Sequence, residues 1–359
     1  MTENALIILG ASQSSVLLIK KVKELYSCII VDRDPSAPGF EFADEKITLS
    51  TYEANPIIKR LSLLKEKYKF EGVITRSSGI PVITMSKIAK EFNLPGIKPS
   101  ISEKIVFKDK LMEDCKRLDI PAPEHQTVNK LEDIDWSKIE FPIVLKPALG
   151  IIGKKGVQRI KNEEELTERF GATKKSSYNS YVDIETFEEG QDVGLMAFSV
   201  KGKLYPIVLL DEINRFNENG FVEPIGIKIP SEHNKEKLEI YDFAQSIITK
   251  FNIDTSVFLM SCRYAPDKSI KLIEIHLDLG GDRILDDLLP RSSDMDFIKL
   301  AIQVCTGEKI EQQSINFSPT LMIFKNKERN DENGITFISA KTQEELINRL
   351  NAEREWRQS

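Results

Sequence analysis

The chain has 359 residues, of which 41% are hydrophobic and 30% charged, a balance that predicts an ordinary globular protein of two or three subdomains and excludes a disordered or fibrous one. Its net charge of -6, with Lys and Arg scattered among Asp and Glu, excludes a nucleic-acid footprint. Cys28, Cys115, Cys262 and Cys305 form no CxxC pair, and no apolar stretch approaches the ~18 residues of a membrane span or makes a signal core, so reduced thiols, a cytoplasmic setting and no membrane partner are expected.

In chain order, Ala5-Leu6-Ile7-Ile8-Leu9 is a continuous apolar run ending in Gly10-Ala11-Ser12, which predicts a strand, a tight turn and then a helix over residues 16–23. Buried strands are expected again at 28–32 and 72–75, and their alternation with helical patterns predicts a parallel sheet wrapped by helices. Asp32 stands 22 residues after Gly10, where a dinucleotide fold places its ribose acid, but the turn has one glycine where that fingerprint wants three. Ser102 reads as the N-cap of a helix reaching about Leu118, with a domain boundary near residue 100. Residues 141–198 read as largely strand, 235–251 as an amphipathic helix, 256–264 and 270–279 as paired strands, and 344–354 as a helix. The expected division is an N-terminal α/β domain over 1–100, an α+β body over 101–308 with a small lid at about 120–188, and a closing subdomain over 309–359.

Three segments carry chemistry. In Phe141-Pro-Ile-Val-Leu-Lys146 a lysine ends a buried strand, which is costly unless its ammonium meets an anion, and Gly150, Gly153 and Gly156 follow in a loop whose amides can approach phosphate oxygens. Next, Glu185-Thr186-Phe187-Glu188 joins a strand to a turn, so that Glu185 and nearby backbone can meet an adenine while Asp192 reaches ribose hydroxyls. In the third, Glu274, His276 and Asp278 alternate along a strand and so share one face as candidate Mg²⁺ ligands, ahead of Gly280-Gly281-Asp282-Arg283, where a substrate anion can approach the backbone. Arg76 and Arg215 are further candidates for a substrate carboxylate.

Taken together these segments resemble the ATP-grasp superfamily, in particular the carboxylate-amine ligases related to biotin carboxylase, carbamoyl-phosphate synthase and the L-amino-acid ligases, over nearly the whole chain. The resemblance implies an ATP-grasp fold, mixed α/β and α+β, preceded by a parallel-sheet domain. It implies ATP and Mg²⁺ as cofactors, with Lys110 and Lys146 on phosphates and Gly153, Lys154 and Gly156 in a loop closing over the triphosphate. Glu185, Thr186, Phe187 and Glu188 would form the adenine hinge, Asp192 would hold ribose, Glu274 would bind Mg²⁺, and Arg283 would join Lys146 in catalysis. The implied reaction transfers the γ-phosphoryl of ATP to a small-molecule carboxylate, which an amine then attacks; related enzymes are commonly homodimers. Ser261 stands where a second metal-binding carboxylate is usual, Asp278 where an arginine is, and His276 where an asparagine is. Either Asp278 and His276 complete the metal set, or the chain is a catalytically weak ATP-binding protein with a regulatory or partner-dependent role.

Overall fold

The structure, a computed structural model, describes residues 2–149, 156–280, 283–311, 315–324 and 334–349. The continuous apolar runs at the start of the chain form strands β1 (Glu3–Leu9) and β2 (Ser27–Asp32), separated by helix α1 (Val16–Lys23). They are followed by β3 (Glu45–Thr48), α2 (Ala54–Ser62), β4 (Tyr68–Thr75) and α3 (Ile80–Glu91). The strands pair in parallel in the order β3-β2-β1-β4. Helices cover both faces: Leu6 and Ile8 pack in a cluster with Leu18, Ile19 and Val22 of α1, whereas Ile7 and Leu9 face Ile57 and Leu61 of α2 and Ile88 of α3. Two-sided burial is why these strands read as unbroken apolar runs rather than as alternation. Asp32, the candidate ribose acid of a dinucleotide fold, instead accepts a hydrogen bond from the Ala11 amide at 2.7 Å and so closes its own turn.

The single helix expected from Ser102 is two helices, α4 (Pro99–Val106) and α5 (Lys108–Arg117), broken at Phe107, whose ψ of 112° is extended. Proline takes the first position of α4, where its missing N–H costs nothing, and Ser102 is buried inside the helix with its hydroxyl on Pro99 O and Ser86. A four-stranded antiparallel sheet follows, in the order β5-β8-β6-β7, from β5 (His125–Val128), β6 (Ile143–Pro147), β7 (Gln158–Ile160) and β8 (Val182–Thr186). The stretch expected to be strand-like contains a 13-residue helix, α6 (Glu163–Lys175), capped by Asn162, whose side chain accepts from the Glu165 amide. Three glutamates open α6 and two lysines close it, matching the helix dipole.

The largest sheet is built from β9 (Gln191–Val200), β10 (Lys203–Phe216), β11 (Val222–Ile229), β12 (Ser256–Tyr264) and β13 (Ile270–His276), with helix α7 (Lys237–Phe251) between β11 and β12. Helices α8 (Leu289–Ser292) and α9 (Phe297–Thr306) precede β14 (Thr320–Phe324) and β15 (Ile335–Ser339). The order is β13-β12-β9-β10-β11-β14-β15, so β14 and β15, which fall within the expected closing subdomain, extend this sheet beyond β11, with β15 at its edge. Residues 343–349 are helical, and the rest of the predicted C-terminal helix lies outside the described residues. Val193, Leu195 and Ala197 of β9 pack with α7. On the opposite face Met196 and Phe198 are covered by α9, where Phe198 stacks on Phe297 at 4.6 Å. Asp192 and Gly194 continue that second face beyond the part that α9 covers, and this is where the polar groups gather.

Candidate active site

One wall belongs to the small sheet. Its register sets Lys146 opposite Asp183 and Asp183 opposite Thr127, with Val144 opposite Glu185, so Lys146, Asp183, Glu185 and Thr127 share a face. Lys146 is 4% exposed and its ammonium pairs with Glu185 Oε1. Asp183 Oδ1 accepts from the Thr127 hydroxyl at 2.6 Å, and its Oδ2 is buried with no hydrogen-bond partner among the described residues. Burial holds the Asp183 carboxyl above its usual range; Lys146 opposes this and Glu185 adds to it. A carboxyl whose pKa is raised in the folded state keeps its proton after the unfolded chain has lost its own, so its contribution to stability fades as pH climbs above the ordinary aspartate range. Asp183→Asn is therefore expected to flatten the loss of stability on going from acid toward neutral pH in urea titrations; an unchanged pH slope would contradict it.

The facing wall is the uncovered end of the large sheet, and its cross-strand register arranges it in two rows. In the first, Glu274 of β13 lies opposite Ser261 of β12, which lies opposite Gly194 of β9. In the second, Lys271, Arg263, Asp192 and Glu212 stand side by side on β13, β12, β9 and β10. Arg263 Nη2 meets Asp192 Oδ1 at 3.0 Å, Asn214 Nδ2 donates to Asp192 Oδ2 at 2.8 Å, and Lys271 reaches Glu188 at 2.7 Å. Glu212 leans back across the rows, and Ser261 Oγ donates to its Oε1 at 2.6 Å. A Cβ on Gly194 would stand 2.6 Å from Leu210 Cδ1, so a larger residue here would have to displace the Leu210 side chain.

Lys108 joins the walls. Its ammonium lies 3.4 Å from Glu274 Oε2. Burial pulls its pKa down, but Glu274 first, then Glu185 and Asp183, outweigh that and hold it above the usual lysine value. Lys110, expected on phosphate, is exposed with its ammonium 4.9 Å from the Phe107 ring centroid. Two residues apart on a helix point in different directions, and the start of α5 at Lys108 turns that residue, not Lys110, toward Glu274.

The metal triad does not assemble as expected: among the described residues no group of three or more His, Cys, Asp and Glu side chains is arranged to hold a metal. Strand β13 ends at His276, so the alternation that would bring Asp278 round does not continue. Asp278 is buried, with Oδ1 accepting from Ser78 Oγ at 3.0 Å and from the Gly280 amide at 2.8 Å. His276 lies 3.4 Å from Glu274 and 4.0 Å from Asp278; burial pulls its pKa down, but the two carboxylates outweigh that and push it up to about 9.

Of the expected hinge, Glu185 faces Lys146, the Thr186 amide donates to Glu124 O, and Phe187 packs edge-on against Phe216 with the Arg159 guanidinium 4.2 Å from its ring centroid. Gly156 has a φ of +87° against Pro147, whereas Gly150, Gly153, Lys154, Gly281 and Asp282 lie outside the described residues. Arg283 has a φ of +59° and donates to Asp287 at 2.5 Å. Arg76, a candidate for a substrate carboxylate, is buried and donates to Asp286 at 2.7 Å, to Gly280 O at 3.0 Å and to Ser14 O. Arg215 sits on the β10–β11 ribbon against Glu223.

No family model matches the sequence. An uncharacterized protein y4rH from Sinorhizobium fredii is 27% identical over 144 residues, which cover 39% of this chain and 30% of that protein, so the match spans under a third of the relative's length. Solved structures are similar over nearly the whole chain. An L-amino acid ligase from Bacillus licheniformis superposes with a TM-score of 0.79 at 16% identity, covering 99% of this chain and 98% of the other. An N5-carboxyaminoimidazole synthetase from Staphylococcus aureus, complexed with ADP, gives 0.76 at 16% identity, with 97% and 96% covered. A biotin carboxylase from Campylobacter jejuni gives 0.72 at 14% identity, with 97% and 90% covered. A parallel N-terminal sheet, a small antiparallel sheet and a large antiparallel sheet, superposing in this way, give this chain the ATP-grasp fold.

Proposed function

We propose that the chain is an ADP-forming ligase that activates a small-molecule carboxylate as an acyl phosphate and joins it to an amine. The observation that carries this reading is Lys146, a nearly fully buried cation paired with Glu185 on the small sheet, with Lys108 of α5 turned toward Glu274 on the facing wall. Buried ammonium groups are rare unless an anion is their partner, and a triphosphate between these walls would meet both lysines. The base would then lie toward Phe187 and the ribose toward Asp192.

The donors fit magnesium. Glu274, and Glu212 held against Ser261, are oxygen ligands on one face, and Mg²⁺ typically takes one or two carboxylates together with substrate phosphates rather than a full protein cage. When bound there it would neutralise charge on the β- and γ-phosphates. Lys146 and Lys108 would stabilise the charge that develops as a carboxylate oxygen bonds to the γ-phosphorus and the bridging bond to ADP breaks. An amine then attacks the acyl carbon, phosphate leaves, and a closed lid protects the acyl phosphate from water.

The test is ADP release by the purified chain with Mg·ATP across a panel of carboxylates paired with amino acids and other amines. Substrate-stimulated ADP formation with matching loss of free amine is expected. ADP binding without stimulation across a broad panel would overturn the ligase and leave a nucleotide-binding protein.

A further inference from the structure

We infer that Arg263 is a positioning residue that makes the nucleotide site selective for ribose hydroxyls, acting through Asp192; this rests on the nucleotide reading above. Three observations carry it. First, one guanidinium serves two elements: Nη2 meets Asp192 Oδ1 at 3.0 Å while Nη1 donates to the Gly190 carbonyl at 2.9 Å, so the turn leading from the hinge and the acid that follows it are fixed by the same side chain. Second, the turn has little freedom to move otherwise. Gly190 has a φ of +127°, and a Cβ there would lie 2.3 Å from Tyr264 O, the residue after Arg263.

Third, Asp192 is flanked in register by Arg263 on β12 and by Glu212 on β10. Like charges directly opposite one another repel, so without Arg263 this carboxylate would swing away from its neighbour and from an incoming polyphosphate. With Arg263 on one oxygen and Asn214 on the other, the plane of the carboxylate is set by the protein before any ligand arrives. A preorganised acceptor gives hydroxyl donors their full hydrogen-bond contribution because no ordering cost is left to offset it. Lysine is no substitute, since a point cation cannot span Asp192 and the Gly190 carbonyl as a planar fork does.

The experiment is calorimetric binding of ADP and of 2′,3′-dideoxy-ADP to the full chain and to Arg263→Lys and Asn214→Ala. The unmodified chain should prefer ADP by about tenfold or more, the contribution of one hydrogen bond to a charged group. Arg263→Lys should bring ADP to within about twofold of the dideoxy compound while leaving affinity for the dideoxy compound itself nearly unchanged. Asn214→Ala should narrow the preference in the same way, so a misfolded Arg263 variant does not end the test. Equal weakening of both ligands, or an undiminished preference in Arg263→Lys, would overturn the role of Arg263. Failure of the unmodified chain to bind ADP at all would instead overturn the nucleotide reading and this inference with it.

Discussion

Replacing Lys146 with methionine is expected to abolish measurable ADP binding and to destabilise the fold by roughly 3–5 kcal/mol, the usual consequence of removing one partner of a buried ion pair. Methionine keeps the length and packing of the lysine stem but leaves Glu185 beside Asp183, both buried, without the cation between them. The double variant Lys146→Met/Glu185→Gln separates the two effects. Removing both charges relieves the orphaned carboxylate, so thermal stability should return most of the way toward the parent, whereas ADP binding should stay lost because the phosphate partner is gone. Recovery of binding in the double variant would show that Lys146 serves the small sheet alone. If the single variant were as stable as the parent, Lys146 would not be the counter-ion its geometry indicates.

That lysine was legible because its context is local. Five residues of strand pattern ending in Lys-Pro announce a charge carried into an apolar layer, and the fold supplies only the identity of its neighbours. The parallel sheet was legible for the same reason, since two-sided burial writes itself as unbroken runs such as residues 5–9. What was harder to read depends on phase or on distant partners. Lys108 and Lys110 flank Asp109 symmetrically in sequence, and the choice between them depends on where the helix restarts after Phe107.

Glu212 carries no local mark either: it is one acid in a 14-residue strand, next to Asp211, which faces the other way and is buried against Lys228 and Ser231. Only the pairing of β10 with β9, and of β9 with β12, brings Glu212 to Ser261, 49 residues later. The carboxylate that position 261 lacks in sequence is thus present beside it in space. Helix α6 was a different kind of miss, because Asn162 followed by Glu165 is a capping signal that a strand-like reading of the surroundings overrode.

Glu274→Gln should lower substrate-stimulated ADP formation by about 100-fold or more, the range seen when one preorganised electrostatic contact to a reacting group is lost. Activity alone would not say why, because Glu274 is also the counter-ion of Lys108 at 3.4 Å and a neighbour of His276. The sign of the change in nucleotide affinity does discriminate. Without magnesium, Glu274 is an anion facing the phosphates and holds the Lys108 ammonium partly to itself; glutamine removes both effects, so ADP should bind several-fold tighter in EDTA, as roughly 1 kcal/mol of relieved repulsion implies. With saturating magnesium the same substitution removes a metal ligand, and ADP should bind more weakly than to the parent. Opposite shifts in the two titrations place Glu274 on the metal. Shifts of one sign in both would reduce it to a partner of Lys108 and leave Glu212 to carry the cation.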